Sequence, residues 1–140
     1  MASEETDLVL RFVKEVFDNK NVDAVDELID ANAVEHTPWP GYGTDRAEVK
    51  RGFADFITAF PDLHVTVDDV IAQGNKVVIR STMSGTNTGE FMGMPPTGKR
   101  VVDIGGIDIV EVKGSKIGDH WGYVDSASMM TQLGLLPPMG

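Results

Sequence analysis

Two residues near the C-terminal end of the chain have the right types to move protons: Asp108, in "DIGGIDIVEV", and His120, in "KIGDHWGYVD". Residues 101–112 alternate with period two. One face carries Val102, Ile104, Gly106, Asp108, Val110 and Val112, and the other Val101, Asp103, Gly105, Ile107, Ile109 and Glu111. Asp108 is the charged member of an otherwise apolar face. The segment turns tightly at Gly114 in "KGSK", so an antiparallel partner strand follows at once. An even register makes Asp108 and His120 neighbours, with Cβ atoms roughly 5 to 8 Å apart. A slip by a single residue puts them on opposite faces. A carboxylate bonded to an imidazole fixes its tautomer and raises its basicity, which suits proton abstraction beside a carbonyl near neutral pH. The same pair could instead satisfy each other inside a sheet, because structural ion pairs also perturb protonation.

The elements that must position these residues follow from periodicity. Residues 5–19 place Leu8, Val9, Phe12, Val13, Val16 and Phe17 on one broad helical face, with Thr6 as a cap. A short second helix spans 21–29 behind Asn21 as N-cap, and a third runs from about 44 to 60, ended by Pro61. Between them Ala33–His36 has room for a brief strand before a Pro/Gly loop. From Leu63 the period changes to two, giving two hairpins with turns at "QGNK" and "KGSK", and the tail "SASMMTQLGLL" adds a helical turn or two. Three helices followed by four long strands predict an α+β fold with helices on one face of an antiparallel sheet. No repeat, linker or low-complexity block interrupts 1–140, so a single domain is expected.

Composition narrows the function. A net charge of −10, with twelve basic residues scattered along the chain, disfavours nucleic acid and anionic membranes and leaves a neutral or weakly charged small molecule as the expected partner. No apolar run approaches membrane-spanning length and the N-terminus is acidic, so an unexported, cytoplasmic protein is expected. The absence of cysteine excludes disulfides, thiolate nucleophiles and Cys-based zinc sites. Three histidines and dispersed carboxylates have no metal-ligand spacing, and "GTNTGEFMG" neither opens a helix nor carries a lysine for phosphate; no metal and no cofactor is expected.

The order of elements, together with the run from "FPDLHVTVDDV" to "KIGDHW", resembles the SnoaL-like polyketide cyclase (ester cyclase) family of the nuclear-transport-factor-2-like superfamily. The likeness spans nearly the whole chain, and its most specific piece is "GTNTGEFMGMPPTGKRV", residues 85–101. It implies a cone-shaped barrel, in which a curved antiparallel sheet packs on three N-terminal helices around a deep apolar pocket, in a homodimer or homotetramer. It also implies cofactor-independent acid/base chemistry, an intramolecular aldol cyclisation of an apolar carbonyl or ester substrate. Aligned on the family, His120, Gly122 and Val124 turn inward, and Asp119, Trp121, Tyr123 and Asp125 turn outward. The chain departs from the family where chemistry is expected: the catalytic aspartate falls on Gly122, a pocket glutamine near Gly106 and a pocket histidine on Asp108.

The expected catalytic groups are therefore His120 and Asp108. By the same resemblance the loop "VEHTPWPGYG" lies at the pocket mouth, where His36 would bind a substrate oxygen, Trp39 would stack on a ring, and Glu35 would take the place of a family asparagine. Phe56, Phe91 and Met92 are expected to line or lid the cavity. Arg80 would orient a carboxylate or ester, against the plainer reading of a rim salt bridge. The alternatives are an isomerase or epoxide hydrolase on the same fold, or a small-molecule binder that lost its chemistry at Gly122.

Overall fold

A computed structural model describes residues 3–137. Helix α1 (Glu4–Val13) starts at Ser3, whose hydroxyl accepts the Thr6 N–H at 3.1 Å. The cap is therefore Ser3, not Thr6, which is buried and takes a bond from the Ser3 hydroxyl. The helix widens into a π-helical turn at Lys14–Asp18, which keeps Val16 in the core. Helix α2 (Ala24–Leu28) is shorter than its apolar pattern suggested, and Asn21 does not cap it; its amide donates to Glu15 instead. Helix α3 (Arg46–Ala59) is capped by Asp45, which accepts the Glu48 N–H at 2.9 Å.

Four strands follow, β1 (His64–Gln73), β2 (Lys76–Thr86), β3 (Arg100–Lys113) and β4 (Lys116–Val124), paired antiparallel in sequence order. Bulges at Val67/Asp69, Met83/Gly85 and Val110/Val112 break the ladders, the device by which sheets bend. The helices pack on the inner face. Val9, Val25, Val77, Ile79, Val110 and Ile117 form one buried cluster, and Phe60, Leu63, Met83, Val101, Ile104 and Leu133 a second. The expected alternation on β3 holds from Ile104 onward but reverses before it: Val101 is buried and Val102 exposed. Asp103, at φ +55°, is the cause, since a left-handed residue inside a strand adds a step and flips the side chains that precede it.

Helix α4 (Ser126–Gln132) starts at Asp125, which accepts the Ser128 N–H, and docks on β3 through Gln132, whose amide bonds both the N–H and the C=O of Val102. The link between β2 and β3 is closed at its neck by Asn87, which is 1% exposed. Its side chain donates to the carbonyls of Ala59 and Gly89 and accepts from the Thr97 N–H and hydroxyl, while its backbone bonds Gly98 and Lys99. Gly89 is needed here, because a Cβ would stand 2.1 Å from the Thr58 carbonyl oxygen.

Candidate active site

Between the helices and the inner face of the sheet lies a cavity of about 990 Å³ whose lining is mostly apolar, including Phe12, Phe53, Phe56, Ile79, Met83 and Ile104. Asp108 and His120 both face it. The register pairs Asp108 with Gly122 and Val110 with His120, so the two are diagonal neighbours on one face. His120 Nε2 lies 2.8 Å from Asp108 Oδ1.

The other imidazole nitrogen is engaged as well. Residues 34–37 run parallel to the free edge of β4, with a bridge between Glu35 and His120. This brings Glu35 Oε2 to 2.5 Å from His120 Nδ1. Thr37 completes the arrangement: its hydroxyl donates to Glu35 Oε1 at 3.0 Å and accepts the Gly122 N–H at 2.8 Å. A side chain at 122 would destroy this geometry, since a Cβ there would stand 2.4 Å from Asp108 Oδ1 and 2.8 Å from His120 Cε1. The carboxylate of Asp108 fills the space that Gly122 leaves open.

Burial alone would lower the His120 pKa, but hydrogen bonds to Asp108 and Glu35 outweigh it and push the imidazole up to about 9. At neutral pH it is an imidazolium that donates Nε2–H to one carboxylate and Nδ1–H to the other. Because the folded value lies above the ordinary 6.5, the stability this contributes is fully present below about pH 6.5 and is lost as pH rises through about 9. Thermal unfolding should therefore show Tm falling across that window, and His120→Gln should flatten this part of the profile.

Of the expected substrate-binding residues, Trp39, Phe56, Phe91 and Met92 line the cavity. Trp39 does so while packed 5.3 Å from the Phe56 ring; Phe56 and Phe91 form wall, and Met92, at φ +52°, stands on the link above them. Three differ. Glu35 borders the cavity, but its carboxylate is engaged by His120 and Thr37, with 13% of its side chain exposed. His36 borders the cavity, yet its ring stacks on Trp121 on the outer side of the sheet, at 4.4 Å and 3°, and bonds Asp119 at 3.0 Å. A residue adjacent to an inward Glu35 on extended backbone must face outward. Arg80 lies outside the cavity, on the exposed face of β2, and pairs with Asp69 at 2.8 Å as a surface salt bridge. Sequence reasoning missed Thr37; its position two residues after Glu35 was the available signal. Both His120 nitrogens are occupied, and among the described residues no group of three or more His, Asp or Glu side chains is placed to hold a metal ion.

A curved antiparallel sheet wrapped over helices around an apolar cavity is an α+β fold of the nuclear-transport-factor-2-like kind. Within it the chain belongs to the SnoaL-like polyketide cyclase family, whose model matches residues 7–133. IdmH from Streptomyces antibioticus, described as a candidate polyketide cyclase, is 30% identical, with a TM-score of 0.78 over 94% of this chain and 99% of that one. AclR from Streptomyces galilaeus, described as a candidate hydroxylase, is 25% identical, with a TM-score of 0.85 over 98% of this chain and 89% of that one. TsrD from Streptomyces laurentii shares the fold at 23% identity, with a TM-score of 0.84 over 97% and 99% of the two chains. No curated protein matches the sequence.

Proposed function

We propose that the protein catalyses cofactor-independent acid/base chemistry, an intramolecular aldol cyclisation, on an apolar β-keto ester that carries a further ketone along its chain. The observation that carries this reading is the His120 imidazole clamped between Glu35 and Asp108, with the Asp108 carboxylate half open to the cavity. Asp108 Oδ1 is held by His120 and 39% of the side chain is exposed, leaving Oδ2 to meet a substrate. Family membership and the description of IdmH as a candidate polyketide cyclase support the class of reaction.

The proposed steps balance without any redox partner. Asp108 takes a proton from the carbon between the carbonyls, forming an enolate. Once protonated, it releases its hold on His120 Nε2–H, which turns to the enolate oxygen and stabilises the new charge in apolar surroundings. The enolate carbon attacks the remote ketone further along the chain, the ring closes with formation of the new C–C bond, and the resulting alkoxide recovers the proton from Asp108. In this scheme His120 serves as a cation and Asp108 as the base, the reverse of a simple histidine base.

The test is deuterium exchange at the acidic carbon of a β-keto ester in D2O, followed by ring closure of a longer polyketide ester. Protein-dependent exchange is expected, with kcat/KM falling as pH rises through about 9, where His120 loses its proton. A rate that instead rises through that pH would identify neutral His120 as the base. Tight binding of the ester without exchange would reject the enzymatic reading.

A further inference from the structure

Residues 34–37 present two faces with different partners. The His120 N–H donates to the Val34 carbonyl at 3.1 Å and the His36 N–H to the His120 carbonyl at 2.9 Å, so the segment is an added edge to β4. Glu35 points to the inner side and His36 to the outer. Outside, the His36 ring lies flat on Trp121, and its Nε2 meets Asp119 Oδ2. Asp119 in turn accepts the Val34 N–H at 3.1 Å and faces Lys113 Nζ at 3.4 Å. Lys76 Nζ stands 5.8 Å from the Trp121 ring. These are the charged groups that surround His36 from β4, β3 and β2, and neither Asp119 nor Trp121 borders the cavity.

The inner and outer contacts are mechanically linked. Glu35 reaches His120 from a neighbouring segment through a side chain with three rotatable bonds, and it keeps that contact only while its backbone is fixed. The segment carrying it is followed at once by "PWPG", which offers few backbone donors to tie it down. The backbone bonds at Val34 and His36, and the Glu35 N–H to the Thr44 carbonyl at 2.9 Å, hold the segment in line, and the outer clasp adds the side-chain anchorage that fixes its twist about that line. We propose that His36 is a positioning residue for proton transfer: held by Trp121 and Asp119 outside the barrel, it fixes the edge segment so that Glu35 clamps His120 inside. The proposal rests on the reading of Asp108 and His120 as the proton-transfer pair, and it assigns His36 a role through Glu35 with no contact to substrate.

The experiment combines an NMR titration of His120 without substrate and exchange kinetics with the β-keto ester, on His36→Ala, His36→Phe and Glu35→Gln. His36→Ala should lower the His120 titration midpoint by about one unit and kcat by about tenfold, with KM within about twofold. His36→Phe, which retains the stack on Trp121, should recover most of kcat. Glu35→Gln should lower the midpoint further, and adding His36→Ala to it should change the midpoint little, because both act through one carboxylate. A folded His36→Ala protein with an unchanged His120 midpoint overturns the proposal. If that variant does not fold, Asp119→Asn must lower the midpoint, and an unshifted value there overturns it equally. A shifted midpoint in a protein whose wild type shows no exchange would support the clasp and reject the acid/base reading, so the two fail separately.

Discussion

Replacing Asp108 with Asn is expected to reduce exchange and cyclisation by about a thousandfold, within the range that removal of a positioned general base produces. The substitution is nearly isosteric. An amide oxygen at the Oδ1 position still accepts the His120 Nε2–H, so the cavity and the imidazole should stay where they are. What disappears is the oxygen able to receive a proton. KM should remain within about threefold while kcat collapses, the signature of an interaction made in the transition state. The same variant removes the negative charge from one of the two partners that raise His120, so its pKa should drop below about 9. Kinetics of the Asn variant at several pH values, with an NMR titration, check both effects; near-wild-type kcat would exclude Asp108 as the base.

The second large effect is expected from the smallest possible change, Gly122→Ala. A methyl group at 122 must displace the Asp108 carboxylate, whose Oδ1 lies 2.4 Å from the ideal Cβ position, and crowd the His120 ring edge at 2.8 Å. Both neighbours are side-chain ends that can rotate, so the backbone ladder between Asp108 and Gly122 survives. The outcome should be a folded protein with Tm within a few degrees of wild type, activity reduced by about a hundredfold, and a His120 pKa lower than about 9. A crystal structure of the variant with the 2.8 Å Asp108–His120 bond intact would contradict this account. The prediction separates function from stability, which few glycine substitutions in a strand do.

Much of this site was legible from strand alternation. Asp108 stood out as a charge in an apolar series. The turn pairs Lys113 with Lys116, a register that alone would set His120 on the other face; the bulge between Val110 and Val112 shifts the pairing by one residue and makes the two neighbours. Glu35 reaches His120 across 85 positions through a parallel edge contact, and no local rule specifies which remote segment will lie against a free strand edge. The outward turn of His36 was accessible in principle, because neighbours on extended backbone cannot share a face. The reversal at Val101 and Val102 was not, since it depends on Asp103 adopting a left-handed conformation that its residue type permits without requiring. The capping errors at Thr6 and Asn21 have a simpler origin: other polar residues nearby, Ser3 and Asp23, take the cap positions.

The link between β2 and β3 is held at two points. Its base is tied by Asn87 to Ala59, Thr97 and Lys99, whereas the backbone of its tip, from Phe91 to Met94, bonds only between those two residues and is held by the buried Phe91 ring against Phe56 and Phe60. Neck and tip are thus fixed by different forces. The tip presents Phe91 and Met92 to the cavity, and the neck holds the link against α3. The link is thus a strap over the cavity with two unlike fastenings, a polar knot at its neck and an aromatic plug at its tip.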